Sequence, residues 1–113
     1  MALPRPLPEP LVDLLADRFR AIGEPMRIRI LDQLRDAPMS VGRLTEVLGA
    51  NQQNVSKHLG VLLRAGIVSR DRVGTSSVYA LADPLVLTLC ESVCDSLRRQ
   101  TRELAQALGE RTP

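Results

Sequence analysis

Aromatic side chains are almost missing from this chain of 113 residues, which has Phe19, Tyr79 and no Trp. Its core must be built from Leu, Val, Ile and Ala, which suits packed helices. Histidine occurs once (His58) and lysine once (Lys57), so a histidine-rich metal shell is excluded. Cysteine is limited to Cys90 and Cys94, too few for a disulfide framework, which favours a reducing, cytoplasmic setting. No apolar run approaches the ~20 residues of a membrane span, so no membrane partner is expected. Residues 1–10 hold Arg5 and four prolines but no apolar stretch, so no secretory leader is expected. Also missing are a phosphate-binding glycine loop, paired catalytic carboxylates and a nucleophile beside a base. The chain is therefore not expected to be an enzyme.

The length allows one domain, with residues 1–9 as a flexible Pro-rich arm, 10–108 as the folded part and 109–113 as a tail. A chain this short buries roughly two-thirds of its unfolded surface at best, so pairing with a second copy would add stability. The net charge of +2 is unevenly spread. Residues 1–50 balance seven acids with seven bases, and residues 82–113 carry four bases and five acids. Residues 51–81 carry Lys57, Arg64, Arg70 and Arg72 against Asp71 alone. Such a local positive stretch is the electrostatic footprint of a nucleic-acid binder.

Apolar residues recur at helical spacing from about Pro10 (Leu11, Leu15, Phe19, Ile22), stopping at Gly23. Pro25 suits a first helical residue, and Met26, Ile30, Leu31 and Leu34 make the next apolar face before Asp36-Ala37-Pro38 breaks it. Ser40 is a candidate N-cap for a short helix with Val41, Leu44, Val47 and Leu48 inward and Gly49 as its stop. Asn51 caps the next helix, which runs to Ala65 and Gly66. Two short helices across a tight turn predict a helix-turn-helix. Residues 67–73 and 77–81 then read as strands flanking a turn at 74–76. Asp83-Pro84 opens a long last helix with Leu85, Leu89, Val93, Leu97, Leu104 and Leu108 near one stripe. The fold class is mainly α with a small β-hairpin, in the order α-α-α-α-β-β-α, a winged helix-turn-helix.

On the second helix of the pair, Val55, Leu59 and Leu62 fall on one side, and Gln53, Ser56, Lys57, Gly60 and Arg64 on the other. Gln pairs with adenine, Ser donates or accepts, and Lys binds phosphate or guanine. Gln52 and Asn54 add amides at the N-terminal end, where recognition helices meet base edges. Arg70, Arg72, Thr75 and Ser76 would place a wing against the DNA backbone or minor groove. Taken singly, each set also reads as an ordinary solvated surface.

Residues 19–31 (FRAIGEPMRIRIL) resemble the "L-x-x-L-G-D-P-T-R-L-R-I-L" pattern of ArsR/SmtB-type bacterial regulators. Residues 54–59 (NVSKHL) look like their recognition-helix centre, and LLRAGIV at 62–68, RVG at 72–74 and VY at 78–79 like their passage into the wing. The resemblance covers about residues 10–97. It implies a dimeric repressor of double-stranded DNA operators, paired through its first and last helices and released by an inducer. Two departures leave the inducer open: residues 40–44 (SVGRL) carry no thiol, and His58 stands alone.

Cys90 and Cys94, at i and i+4, share a face of the last helix. Their Cβ atoms should lie about 5–6 Å apart, beyond the ~3.8 Å of a disulfide. One reading is a small apolar pair packed in a dimer. The other is a thiol sensor for a soft transition-metal or metalloid ion, completed by Glu91 and Asp95 or by a second copy's thiols. No cofactor is otherwise indicated. His58, at the margin of the core face, reads as structural or phosphate-contacting. The competing functions are a winged-helix protein-interaction module, against which the clustered charge argues, and a transcriptional activator without sensing at the cysteines.

Overall fold

The computed structural model describes residues 2–107 and Gly109. The chain divides into two compact units, residues 1–83 and residues 84–113. In the first, α1 (Glu9–Ile22) begins one residue before the expected Pro10, because the Pro8 carbonyl already accepts from the Leu11 and Val12 amides at 3.0 Å each. It ends where the Gly23 amide reaches back to the Phe19 carbonyl at 2.8 Å. α2 (Pro25–Leu34) follows, with Pro25 in the first turn as expected and the Glu24 side chain capping the Arg27 amide at 3.0 Å.

Ser40 caps α3 (Val41–Leu48) through its hydroxyl, which accepts from the Arg43 amide at 3.1 Å. Gly49 closes that helix at φ 59°, a left-handed conformation that costs other residues roughly 1–2 kcal/mol. α4 (Gln52–Arg64) starts two residues later from Asn51, whose Oδ1 accepts from the Gln53 and Asn54 amides at 2.8 and 3.2 Å. The helix-turn-helix therefore rests on two side-chain caps with a glycine between them.

The strands β2 (Val68–Val73) and β3 (Ser76–Leu81) form the expected hairpin, each starting one residue away from the sequence reading and ending where it was expected. Its loop is Gly74-Thr75, with Gly74 at φ 63° and no non-glycine residue at positive φ among the described residues. Positive φ at the first loop position alone is the type II′ pattern, which suits the twist of a hairpin. A third strand, β1 (Met39–Ser40), was not expected. It pairs antiparallel with β3, Met39 opposite Tyr79 and Ser40 opposite Val78, giving the order β1-β3-β2. Two residues carry no period, so no pattern in the sequence announces such a strand.

Ile30, Leu44, Val55, Leu59, Leu62 and Ile67 are fully buried, and no polar residue is buried among the described residues. Only Tyr79 brings an aromatic ring into this aliphatic core, at 8% exposure. Val47 corrects the sequence reading. It is 39% exposed, because in so short a helix the buried arc centres on Leu44 and leaves Val47 beyond its edge.

The second unit contains α5 (Leu85–Ala107), whose opening turn is set by the Pro84 carbonyl accepting from the Leu87 amide at 3.1 Å. Leu85, Val93, Leu97 and Leu104 are all exposed on it. Leu108, expected to continue that stripe, lies outside the described residues.

Candidate nucleic-acid interface

The buried side of α4 fixes what its other side presents. Val55, Leu59 and Leu62 are wholly buried, so Gln52, Gln53, Asn54, Ser56, Lys57 and Arg64 are left exposed. Gly60 lies among them without a side chain, and a methyl added there would come 3.3 Å from Arg64 Nη1. The guanidinium thus lies over the glycine. The amide, hydroxyl and two cations of Gln53, Ser56, Lys57 and Arg64 on one face, with Gln52 and Asn54 at the N-terminal end, match the donor and acceptor edges of the major groove and its phosphate rims.

Arg70 and Arg72 alternate with Asp71 along β2, so they share a face, opposite Tyr79 and Ser77 of β3. With Ser77 they line an open cleft of about 280 Å³. Thr75 and Ser76 are exposed at the tip of the hairpin. Arg20, Arg35, Arg43 and Arg98 each hold a carboxylate three residues away. Among the described residues, Lys57, Arg64, Arg70 and Arg72 hold none, and neither do Arg5, Arg29, Arg99 and Arg102 elsewhere. Unpaired cations on adjoining elements leave a field for an external polyanion.

His58 is not on the presented face. Its side chain is 11% exposed, with Nδ1 3.0 Å from Arg27 Nη1 and 3.6 Å from Glu24 Oε2. The structural reading of this residue is thus the one the geometry supports. Burial pushes the Glu24 carboxyl up. Donation from the Arg27 and Met26 amides and the positive charges of His58 and Arg27 outweigh it, holding the group below its ordinary 4.5. Neither Glu24 nor Arg27 was singled out in the sequence. The signal available was an acid directly before Pro25, where a helix N-cap belongs.

On α5, Cys90 is half-buried and Cys94 exposed, and both are free thiols. Among the described residues no three His, Cys, Asp or Glu side chains gather as a metal shell. The mixed shell with Glu91 and Asp95 is thereby corrected. Each acid follows a cysteine by one position, which turns it about 100° round the helix.

A tight helix pair with a cationic second helix, followed by a two-stranded wing, defines a winged-helix DNA-binding protein. Residues 22–71 match the family described as Helix-turn-helix domain. The HTH-type transcriptional regulator Rv0081 of Mycobacterium tuberculosis is 36% identical over 104 residues, covering 91% of this chain and 85% of the relative. Its crystal structure superposes with a TM-score of 0.78, covering 87% of this chain and 99% of that one. The HTH-type transcriptional regulator NmtR of the same species is 40% identical over 86 residues, covering 76% and 72% of the two chains. The homodimeric winged helix-turn-helix domain of Mb0332 from Mycobacterium bovis, a possible ArsR-family regulator, is 27% identical. It covers 80% of this chain and 86% of its own, at a TM-score of 0.71. The chain belongs to the ArsR/SmtB-type family of helix-turn-helix transcriptional regulators, and it is a DNA-binding regulator. Among the described residues no helix is long and apolar enough to cross a membrane.

Proposed function

We propose that this regulator is a cytoplasmic, homodimeric repressor without enzymatic activity. α4 reads operator bases through Gln52, Gln53, Asn54 and Ser56, with Lys57 and Arg64 on phosphates. The wing holds the flanking backbone through Arg70, Arg72 and Thr75. The observation that carries this reading is the set of four cations without carboxylate partners on α4 and β2, in a stretch whose one acid is Asp71. Dimerisation is supported by exposed apolar side chains on α1 (Val12, Leu14, Phe19) and on α5 (Val93, Leu97, Leu104), and by the homodimeric relative. Selection of duplexes from a random pool, followed by footprinting, tests it. An imperfect palindrome is expected, with half-sites about 34–36 Å apart. Enrichment of no sequence, or of a single half-site, would overturn it.

The signal that releases DNA is proposed to act at Cys90 and Cys94. Two thiols four residues apart supply half of a four-ligand soft-ion shell, and the same pair from a second copy supplies the rest. Titrating reduced protein with zinc, cadmium or arsenite should lower operator affinity by about 5–150-fold. The protein carrying Cys90→Ser and Cys94→Ser should bind DNA and lose that response. A full response in the double variant would exclude the site.

A further inference from the structure

Arg27 stands where three helices meet. Its Nε donates to the Ala21 carbonyl at 2.6 Å and its Nη2 to the Arg20 carbonyl at 3.0 Å, both at the C-terminal end of α1. A cation is favoured there, because the last carbonyls of a helix have no partners of their own. Its Nη1 lies 3.0 Å from His58 Nδ1 on α4. All three guanidinium nitrogens are engaged, in a planar fork that lysine cannot copy. A guanidinium has only protons to give, so Nδ1 must be the ring nitrogen without one. A second partner waits beside it: Glu24 Oε2 is 3.6 Å from the same Nδ1 and already accepts the Arg27 amide at 3.0 Å.

We propose that Arg27 is the positioning residue for the recognition helix, and that it holds α4 in its DNA-binding pose only while His58 is neutral. A proton on Nδ1 removes the lone pair that Arg27 uses and sets two cations face to face. The new N–H finds its acceptor in Glu24, and closing that 3.6 Å gap draws the ring off Arg27. The link between the end of α1 and the recognition helix is then broken. Acid that places this proton on Nδ1 therefore lowers operator affinity.

The other elements packed against α4 are α1, α3 and β2. Their charges are committed elsewhere or exposed. On α1, Asp17 pairs with Arg20 and Arg18 with Asp83, and on α3 Arg43 pairs with Glu46. Arg70, Asp71 and Arg72 of β2 are exposed. The groups facing the ring are therefore Arg27 and Glu24.

This inference rests on α4 being the recognition helix, and its test separates the two. The full chain is titrated by fluorescence anisotropy against a duplex selected from a random pool with the wild-type protein, from pH 5.0 to 8.0 at fixed ionic strength. Circular dichroism follows the fold at each pH. Wild type should lose at least about fivefold in affinity between pH 7.5 and 5.5. His58→Asn keeps an acceptor near the Nδ1 position and does not titrate, so its operator affinity should stay flat with pH. Arg27→Lys, while folded, should bind more weakly at pH 7.5 and also stay flat. A flat wild-type profile, a wild-type pH loss in His58→Asn, or unchanged binding and profile in Arg27→Lys would each overturn the proposal. If Gln53→Ala and Lys57→Ala leave affinity intact, the recognition-helix reading fails. If they weaken binding while His58→Asn keeps the pH loss, the positioning role alone fails.

Discussion

Single side chains on α4 divide into those that read bases and those that hold phosphate, and substitution tells them apart. Gln53→Ala should cost about 1–3 kcal/mol on the best site and relax sequence preference, if a two-point contact to a base is lost. Lys57→Ala should weaken all sequences alike and reduce the salt slope by about one. Gly60→Ala should stabilise the helix by about 0.5–1 kcal/mol. The added methyl, 3.3 Å from Arg64 Nη1, should meanwhile displace that guanidinium and lower DNA affinity. A stabilised variant with undiminished affinity would show that close approach at Gly60 is not used. Glu24 makes a separate prediction. Its carboxyl is held below its ordinary 4.5 in the folded chain, so the unfolded chain takes up the proton first as pH falls. Its stabilising contribution is complete above 4.5 and lost as pH drops through the folded value. The melting-temperature advantage of Glu24 over Glu24→Gln should hold at pH 6 and shrink as pH falls below 4.5. The row Gln53, Ser56, Lys57 was legible beforehand, because helical period alone sets it opposite Val55, Leu59 and Leu62. The Arg27–His58 contact was not, since it joins positions 31 apart whose approach depends on how α2 crosses α4.

At the scale of elements, caps and turns position the site more than propensity does. Asn51 ties down two amides at the start of α4, beside the residues that would meet base edges. Asn51→Ala should cost about 1 kcal/mol of stability, measured by denaturant melts. It should also lower operator affinity beyond that of a surface control, because the first turn frays where it must be ordered. Gly74→Ala puts a β-carbon at φ 63° and should strain the wing by about 1–2 kcal/mol. Binding should fall with little change in the sequence preferred, since the wing touches backbone. The boundaries of α3 and α4 and the turn between β2 and β3 followed from Ser40, Gly49, Asn51, Gly66 and Gly74, whose chemistry is local. β1 escaped because its two residues become a strand only by pairing with β3, a contact about 40 positions away.

For the whole molecule, the question is what covers the apolar side chains left on α1 and α5. Phe19 is 55% exposed and Leu97 55%. Sedimentation should show a dimer at micromolar concentration. Phe19→Glu together with Leu97→Glu should shift it toward monomer and abolish cooperative binding to a full palindrome. A stable dimer that survives both changes would place the interface elsewhere. The aliphatic surplus was visible in the sequence as more leucine than one small core needs. The partner geometry was not, because it lies outside any single chain.

Ser40 belongs to two elements at once: it is the last residue of β1, paired with Val78 in the wing, and it is the N-cap of α3. The hairpin and the helix-turn-helix are for that reason not interchangeable cassettes. A chimera that takes its wing from a relative but keeps residues 39 and 40 would graft the new β3 onto a strand it did not coevolve with. The misfit would surface at the first turn of α3, far from the splice. A transplant that carries residues 39 and 40 along with residues 68–81 should instead keep that pairing, and α3 with it, as long as residue 40 still caps the Arg43 amide.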